Sequence, residues 1–511
     1  MEQIITVDIG TTSTKSAIFN RKGEIVAAKD LSYKNLPPDL YSEQTPEIWW
    51  YALREVLRYL EEYLDVEKIK GIVLSGQMQN LIFLKGNKVI TPFIPYYDTR
   101  ALEEVEEIEK ILGYKEIKKT TGNIQDAASI IGKLLWIKKN KRAVYENAET
   151  ILFGAHDYIS WRMTDSKNTD YTTASTTGLL DINKNEWAKR FLAKIKIKSS
   201  WLPNLVRADN YDGNLSEKGA EFLGIPPGIP VFHGSGDVGA ATIGAGAGEQ
   251  GNIYCYLGTS GWIATSSSEK SGLVDCENGI YNLRHPEPER LIYVGPMLTA
   301  GGAVDWALKE ISNFSSTKKG YFLLDETVQD AESGSGGVIF LPYLSGERSP
   351  FKDPRARGAF IGISINTLRK DILRSVFEGV AFAMRSIKEN IVKDSSVKLK
   401  LFLVGGGARS KTWAQIFADV FGCRVIVLGD SQNVGLEGAF AIVQKKFGWD
   451  KNYPFLPGET KGDKEFIPIK ENNRKYQILY PVFKNLYLQL KNIFSKLAEY
   501  RDIGNDSRDG N

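Results

Sequence analysis

Ile4-Ile5-Thr6-Val7-Asp8-Ile9-Gly10-Thr11-Thr12-Ser13-Thr14-Lys15-Ser16-Ala17-Ile18-Phe19 is the stretch on which the fold turns. Residues 4–7 are a short apolar run and read as a buried strand. Residues 8–15 are polar, contain one glycine and reverse the chain, and residues 16–19 return as a second strand. The unit is a β-hairpin with a polar tip, not a strand–loop–helix. Residues 24–28 predict a third strand. A phosphate is held by backbone N–H groups that come close, and small residues permit the approach. Gly10 gives access, Thr11, Thr12 and Ser13 add hydroxyls, and Lys15 adds positive charge. Asp8, at the strand end, is placed to hold a hydrated Mg²⁺, which takes one or two carboxylates plus phosphate oxygens. An ordinary polar turn has the same composition, so the hairpin does not decide alone.

The pattern returns in mid-chain. Asn252-Ile253-Tyr254-Cys255-Tyr256-Leu257 is strand-like, Gly258-Thr259-Ser260-Gly261 turns, and Trp262-Ile263-Ala264 returns. Read as a repeat, this gives two homologous domains facing each other, each offering a phosphate loop. The small-residue stretch 245–250 suits a hinge. It divides the chain into residues 1–245 and 246–500, with a polar tail, 501–511, expected to be unstructured. Residues 46–63 have helical spacing, 72–74 form a short strand ending at Ser75-Gly76-Gln77, and 101–140 read as two or three helices. Farther on, strand 399–404, helix 411–421 and strand 424–428 alternate, and a closing helix spans 482–500. The whole is an α/β chain with mixed sheets.

Bulk composition narrows the function classes. The 511 residues are 42% hydrophobic and 25% charged with a net charge of +3, which suits two ordinary globular domains and gives no reason to invoke nucleic acid or an anionic membrane. The N-terminus lacks a basic flank and apolar run, and no segment approaches a membrane span. Three cysteines, Cys255, Cys276 and Cys423, are far apart and odd in number, which fits a reducing cytoplasm. Three histidines, His156, His233 and His285, show no pair at zinc-ligand spacing.

Two more stretches carry chemistry. Phe232-His233-Gly234-Ser235-Gly236-Asp237-Val238-Gly239 puts a carboxylate at a strand–helix junction among glycines. Asp237 there suits a base that takes a proton from a substrate hydroxyl, and phosphoryl transfer needs little beyond such a base, positioning and charge neutralisation. A helix N-cap is the commoner use of Asp in that place. Gly405-Gly406-Gly407-Ala408-Arg409-Ser410-Lys411 leaves a bare backbone surface for an adenine or ribose ahead of a helix N-terminus. Gly246-Ala247-Gly248-Glu249-Gln250-Gly251 matches G-x-G-x-x-G but precedes a strand, the wrong context for a dinucleotide fold. No Walker A sequence occurs. Sugar-side candidates are Ser75-Gly76-Gln77-Met78-Gln79 and Tyr96-Tyr97-Asp98-Thr99-Arg100, whose amide, acid and guanidinium groups bond hydroxyls while Met78 or Tyr97 packs on a carbon face. Either is also an ordinary surface turn.

Together these elements resemble the FGGY carbohydrate kinases, from Ile4 to about Val443. The most specific match is Gly358-Ala359-Phe360-Ile361-Gly362-Ile363 followed, after seven residues, by Asp371-Ile372-Leu373-Arg374-Ser375-Val376-Phe377-Glu378. Phe340-Leu341-Pro342-Tyr343-Leu344-Ser345-Gly346-Glu347-Arg348-Ser349-Pro350, Thr169-Asp170-Tyr171-Thr172-Thr173-Ala174-Ser175 and Ala300-Gly301-Gly302-Ala303 are similar too. The resemblance implies two actin/hexokinase-like (ribonuclease H-like) ATPase domains flanking a cleft, and ATP-dependent phosphorylation of a small sugar with Mg²⁺. Asp8 would orient the metal, and Gly10, Thr11, Thr12, Ser13 and Lys15 would face the phosphates. Gly258 and Thr259 would meet the nucleotide from the second domain, and Gly301, Gly302, Gly406 and Gly407 would line the adenosine pocket. Asp237 would be the base, and Gln77, Met78, Gln79 and Asp98 would touch the sugar.

Ser-Gly-Gln-Met and Leu-Ser-Gly-Glu-Arg-Ser-Pro look closest to the xylulokinase branch, which implies a ketopentose such as D-xylulose. Gln79 stands where that branch usually has a sugar-contacting His, Tyr96-Tyr97-Asp98-Thr99-Arg100 replaces its usual Trp-Asn-Asp-Gly-Arg, and Ile130 departs from the first family signature. Gluconate, ribulose and other keto sugars stay open, as does a homodimer. Two rival readings remain at this point: a nucleotide-switched binding protein of the same fold, and a sugar sensor that has lost catalysis.

Overall fold

The computed structural model describes residues 1–36, 45–268, 271–392, 400–429, 432–450 and 463–506. Its first sheet holds β1 (Gln3–Ile9), β2 (Ser13–Asn20), β3 (Ile25–Ser32), β4 (Ile69–Gly76), β5 (Tyr211–Asn214) and β6 (Pro230–Gly236), in the order β5-β6-β4-β1-β2-β3. Its second holds β7 (Asn252–Leu257), β8 (Gly261–Ser266), β9 (Tyr281–Arg284), β10 (Leu291–Met297), β11 (Lys400–Val404), β12 (Val425–Val427) and β13 (Lys464–Phe466), in the order β9-β10-β8-β7-β11-β12-β13.

The repeat seen in the hairpins extends through both sheets. From β1 outward, β2 and β3 join antiparallel on one side, while β4 and β6 join parallel and β5 antiparallel on the other. From β7 outward, β8 and β10 join antiparallel on one side, while β11 and β12 join parallel and β13 antiparallel on the other. Only β9, an edge strand on β10, lacks a counterpart. Parallel strands end on the same edge, so each sheet presents the ends of its first, fourth and fifth pattern strands together.

The helices that frame the sheets are α1 (Glu47–Leu60), α2 (Ala155–Thr164), α3 (Asp237–Thr242), α4 (Gly301–Ala307), α5 (Arg369–Ile391), α6 (Lys411–Phe421), α7 (Val434–Lys446) and α8 (Lys470–Asp506). Strand alternation sorts β1 between two of them. Ile5, Val7 and Ile9 pack on Trp49, Leu53 and Leu57 of α1. Ile4 faces the other way, where Ala17 and Phe19 meet Leu436, Ala439 and Phe440 of α7. Asp8 shares that second face by its period of two. Phe19 stacks on Phe440 with ring centroids 4.7 Å apart, and full burial of one such side chain contributes roughly 1.5–3 kcal/mol. A helix from the second half of the chain thus completes the core of the first sheet.

The chain just before and into the 245–250 stretch is packed. Ile243–Ala247 continues α3 as a wider helical turn and is buried. A Cβ on Gly244 would fall 1.9 Å from the Val434 carbonyl oxygen, and one on Gly438 would fall 1.8 Å from that of Ala240. Small residues here let α3 and α7 approach backbone to backbone.

Residues 358–378 owe their pattern to packing. Asp371 accepts the Leu368 N–H at the head of α5. Arg374 and Glu378 form a buried pair at 2.7 Å, and Glu378 also takes the Gly334 N–H, the Ser335 hydroxyl and the Tyr476 hydroxyl. A Cβ on Gly379 would meet the Phe340 carbonyl at 2.3 Å.

The closing helix is longer than expected. It begins at Lys470, passes through Pro481 and runs to Asp506, so the first six residues of the expected unstructured tail are helical and 507–511 lie outside the described residues. Tyr476 and Tyr480 before the proline, and Phe483 and Tyr487 after it, all pack into the second core. That burial outweighs the one helical hydrogen bond a proline removes.

Candidate active site

Most of the expected residues of the first half gather at one sheet edge. Gly10 N–H donates to the Ser13 carbonyl at 2.9 Å and closes the β1–β2 turn. Gln77 N–H donates to Ile9 O at 2.8 Å, which ties the end of β4 to the end of β1. The Thr11 hydroxyl donates to Gln77 Oε1 at 3.3 Å and lies 3.5 Å from the Tyr96 hydroxyl. Thr12, beside it, is exposed. Lys15 reaches over to the second half, where its Nζ donates to the Gln432 carbonyl at 3.0 Å.

Asp8 and Asp237 stand two strands apart. The register places Asp8 beside Ser75, and Ser75 beside Ser235, two residues before Asp237. Two strand spacings are about 10 Å. Asp8 Oδ1 accepts the Ser75 hydroxyl at 3.0 Å. Burial raises its pKa above the ordinary aspartate value, partly offset by Lys15 and Ser75. A Cβ on Gly435 of α7 would stand 2.7 Å from Asp8 Oδ2, so the glycine keeps that side clear. Asp237 is the first residue of α3, and Gly236 occupies the N-cap position. Among the described residues its Oδ1 accepts only the adjoining Val238 N–H, at 2.8 Å. Burial, with the charge of Asp8 second, pushes Asp237 up to about 7. The side chain is nonetheless partly accessible, as a proton acceptor must be.

Met78 packs against this turn: a Cβ on Gly236 would fall 2.2 Å from its Sδ. Gln79 is in the left-handed region at φ 62°. Asp98 is gripped by Arg100, whose Nε lies 2.8 and 3.0 Å from the two carboxylate oxygens and whose Nη2 lies at 2.5 Å. Arg100 therefore holds Asp98 below the usual carboxylate range, and itself lies over the Trp136 ring.

In the second half, Gly258, Thr259, Gly301, Gly406 and Gly407 line one cavity of about 740 Å³. Gly302 adjoins it: Gly301 N–H donates to Gly258 O at 2.7 Å and Gly302 N–H to Thr259 O at 2.9 Å, which stitches the two loops together. A Cβ on Gly301 would meet Gly258 O at 2.5 Å. Gly406 faces open space, with nothing within 4 Å of its would-be Cβ.

Sequence reasoning missed part of this wall. Tyr256, Asp305, Lys318, Tyr321, Asp325 and Trp413 also line the cavity. Asp325 accepts hydrogen bonds from Ser410 and Thr412, which anchors the head of α6. Ser410 and Arg409 sat in the quoted glycine motif and were there to be picked; Lys318 and Asp325 carry no local signal. The histidines hold the larger surprise. His156 and His233, far apart in sequence, bring their rings to 5.3 Å in a buried cluster with Asp157 and Asp170.

Comparison with known proteins settles the family. Residues 3–244 match the N-terminal domain of the FGGY family of carbohydrate kinases, and residues 253–443 its C-terminal domain. The chain belongs to the FGGY family of carbohydrate kinases. As such it is an enzyme that uses ATP to phosphorylate a sugar hydroxyl. The xylulose kinase of Lactococcus lactis subsp. lactis is 31% identical over 514 residues, 99% of this chain and 100% of that protein. The ligand-bound xylulose kinase of Lactobacillus acidophilus superposes with a TM-score of 0.87 at 26% identity, covering 97% of this chain and 100% of that one. A gluconate kinase of Lactobacillus acidophilus gives the same TM-score and identity over 97% of this chain and 99% of its own. The fold is therefore that of the family, and the backbone does not separate a keto sugar from a sugar acid. Among the described residues no helix is long and apolar enough to cross a membrane.

Proposed function

We propose that this FGGY kinase phosphorylates a neutral ketopentose, D-xylulose first among them, in the cytoplasm, with Asp237 as general base. The observation that carries the reading is the Asp237 carboxylate: it stands at a strand end, partly accessible, with its pKa lifted to about 7. A carboxylate so tuned accepts a proton near neutral pH better than an ordinary aspartate does. Residues 1–245 supply the sugar side through Gln77, Met78 and Asp237, with Gln79 and Asp98 at its margin. Residues 246–500 supply most of the ATP side, with adenosine in the glycine-lined cavity and the phosphates running toward the Gly10–Ser13 and Gly258–Thr259 turns. Closure of the two halves expels water and lines the hydroxyl up with the γ-phosphate.

Asp8 fits a hydrated Mg²⁺. It is a hard oxygen donor whose charge is costly beside Asp237, both carboxylates being raised by burial, and a dication would relieve both. Mg²⁺ at Asp8 would supply charge neutralisation on the phosphate oxygens. Asp8 itself is oriented by the Ser75 hydroxyl.

The commitment to a neutral sugar rests on the cations of the sugar side. A sugar acid calls for a cation turned toward it. Arg100 is held by Asp98, and buried Lys133 donates to the Pro95 carbonyl at 2.7 Å, with burial lowering its pKa to about 8. Gluconate is the alternative, supported by the gluconate kinase likeness. A coupled assay of ADP release over pentuloses, hexuloses, polyols and aldonic acids decides between them. The expected result is the highest kcat/KM for a ketopentose; gluconate as the fastest substrate contradicts the proposal.

A further inference from the structure

Beneath Asp237 lies a buried cluster that phosphoryl transfer leaves unused. His156 at the head of α2, Asp157, Asp170 and His233 of β6 bring one ligand atom each within 4.8 Å of one another, all 0–1% exposed. His156 Nε2 is 3.0 Å from Asp170 Oδ1 and 3.2 Å from Asp157 Oδ1. His233 Nε2 is 3.3 Å from Asp157 Oδ1, and its Nδ1 is 2.6 Å from Asp212 Oδ2. Asp170 also reaches forward. It accepts the Ser235 hydroxyl at 3.1 Å and the Gly236 N–H at 3.2 Å, from the two residues that precede Asp237.

We propose that His156 and Asp170 are positioning residues, which hold the Ser235–Gly236 turn and so fix where the Asp237 carboxylate stands. This rests on the reading of Asp237 as the base. Asp237 does not anchor itself: its carboxylate bonds the Val238 N–H, which moves with it. Gly236 brings no side chain to resist a pivot. Two ties leave the turn for the same carboxylate, and that carboxylate is backed by an imidazole. Asp170 also caps the short helix Tyr171–Ser175 through the Thr172 N–H at 2.9 Å. Burial would raise Asp170, but the hydrogen bond and charge of His156, with the charge of His233, hold it well below the usual carboxylate range. It therefore stays an ionised acceptor, the stronger kind. The four atoms are also spaced for a metal ion. Against that, both Asp170 oxygens already take N–H and O–H donors, and His156 aims its Nε2 at one of them.

Among the described residues the titratable groups that face Asp237 are Asp8, His156 and Asp170; those that face the cluster are Asp157, Asp212 and His233. The test measures melting temperature, kcat, KM for ATP and the pH profile of kcat in Asp170→Ala, Asp170→Asn and His156→Gln. Asp170→Ala should lower kcat about 10²-fold, the scale of a 1 Å misplacement of a reacting group, with KM for ATP unchanged. Asp170→Asn keeps an acceptor and should recover part of that loss. It also removes a charge that raises Asp237, so the acid limb of its profile should move to lower pH. His156→Gln removes the imidazole that backs Asp170 at 3.0 Å, so its kcat should fall as well, by less than that of Asp170→Ala. If Asp170→Ala does not fold, the other two decide. Wild-type kcat in folded Asp170→Asn and His156→Gln overturns the proposal, as does a wild-type limb in Asp170→Asn, and so does a stoichiometric metal ion that purified enzyme retains after dialysis against chelator. An active Asp237→Ala enzyme sinks the base reading itself, whereas an inactive one beside wild-type-like cluster variants sinks only the positioning role.

Discussion

Asp8-Ile9-Gly10-Thr11-Thr12-Ser13 of the first sheet and Tyr256-Leu257-Gly258-Thr259-Ser260-Gly261 of the second occupy the same place in the same strand pattern. Gly-Thr is common to both, and the residue two places before the glycine differs in kind. It is a carboxylate in the first half. In the second it is a tyrosine, stacked on Trp262 with centroids 4.0 Å apart and lining the large cavity. The next parallel strand repeats the lesson. β4 ends in Gly76 and leads into Gln77 and Met78, side chains that in our proposal meet the sugar, whereas β11 leads into Gly405-Gly406-Gly407, bare backbone that in our proposal meets the adenosine. On that proposal one scaffold serves two tasks through different residues at the strand ends of a common strand pattern.

That contrast can be broken at chosen points. Asp8→Ala should lower kcat by about 10²–10³-fold, the scale for losing one preorganised electrostatic group, and leave the melting temperature near wild type. Steady-state kinetics at saturating ATP check it, and a retained kcat would mean that the carboxylate does not set the first turn apart from the second. Gly407→Val comes next, as a stability effect of roughly 1–3 kcal/mol from overpacking, because its Cβ would sit 2.7 Å from the Trp413 ring and 2.9 Å from Leu257 Cβ; denaturant unfolding reads it. Tyr256→Ala should raise KM for ATP about tenfold, the loss of a ring contact worth about 1.4 kcal/mol, with kcat little changed. Gly406→Ala should be the mildest, within about 0.5 kcal/mol in stability, since its Cβ points into open space; its only effect should be on ATP affinity.

What was legible in the sequence was local. The two hairpins could be read because strand, turn and return lie within sixteen residues, and Asp237 because strand, glycines and acid are contiguous. Packing at a distance could not be read. α7 joins the core of the first sheet from more than 400 positions downstream of β1, and the glycines that admit it, Gly244 and Gly438, carry no local signal of that contact. His156 and His233 meet because α2 packs on β6, so spacing gave no hint of the pair. α8 was expected only from 482, just after Pro481, yet tyrosines on its earlier turns are buried in the second core and carry the helix through.

The most direct test is Asp237→Ala, assayed for sugar-dependent ADP release and for ATP binding by calorimetry, beside the pH profile of the wild type. A base must be deprotonated to act, and kcat/KM for ATP reports the free enzyme, in which the Asp237 pKa stands at about 7, so wild-type kcat/KM for ATP should climb through that pH and level off above it. The variant should lose at least about 10²-fold in kcat, the usual scale of a lost general base, while binding ATP as before. Near-normal turnover in Asp237→Ala, or a wild-type profile flat through pH 7, contradicts the account.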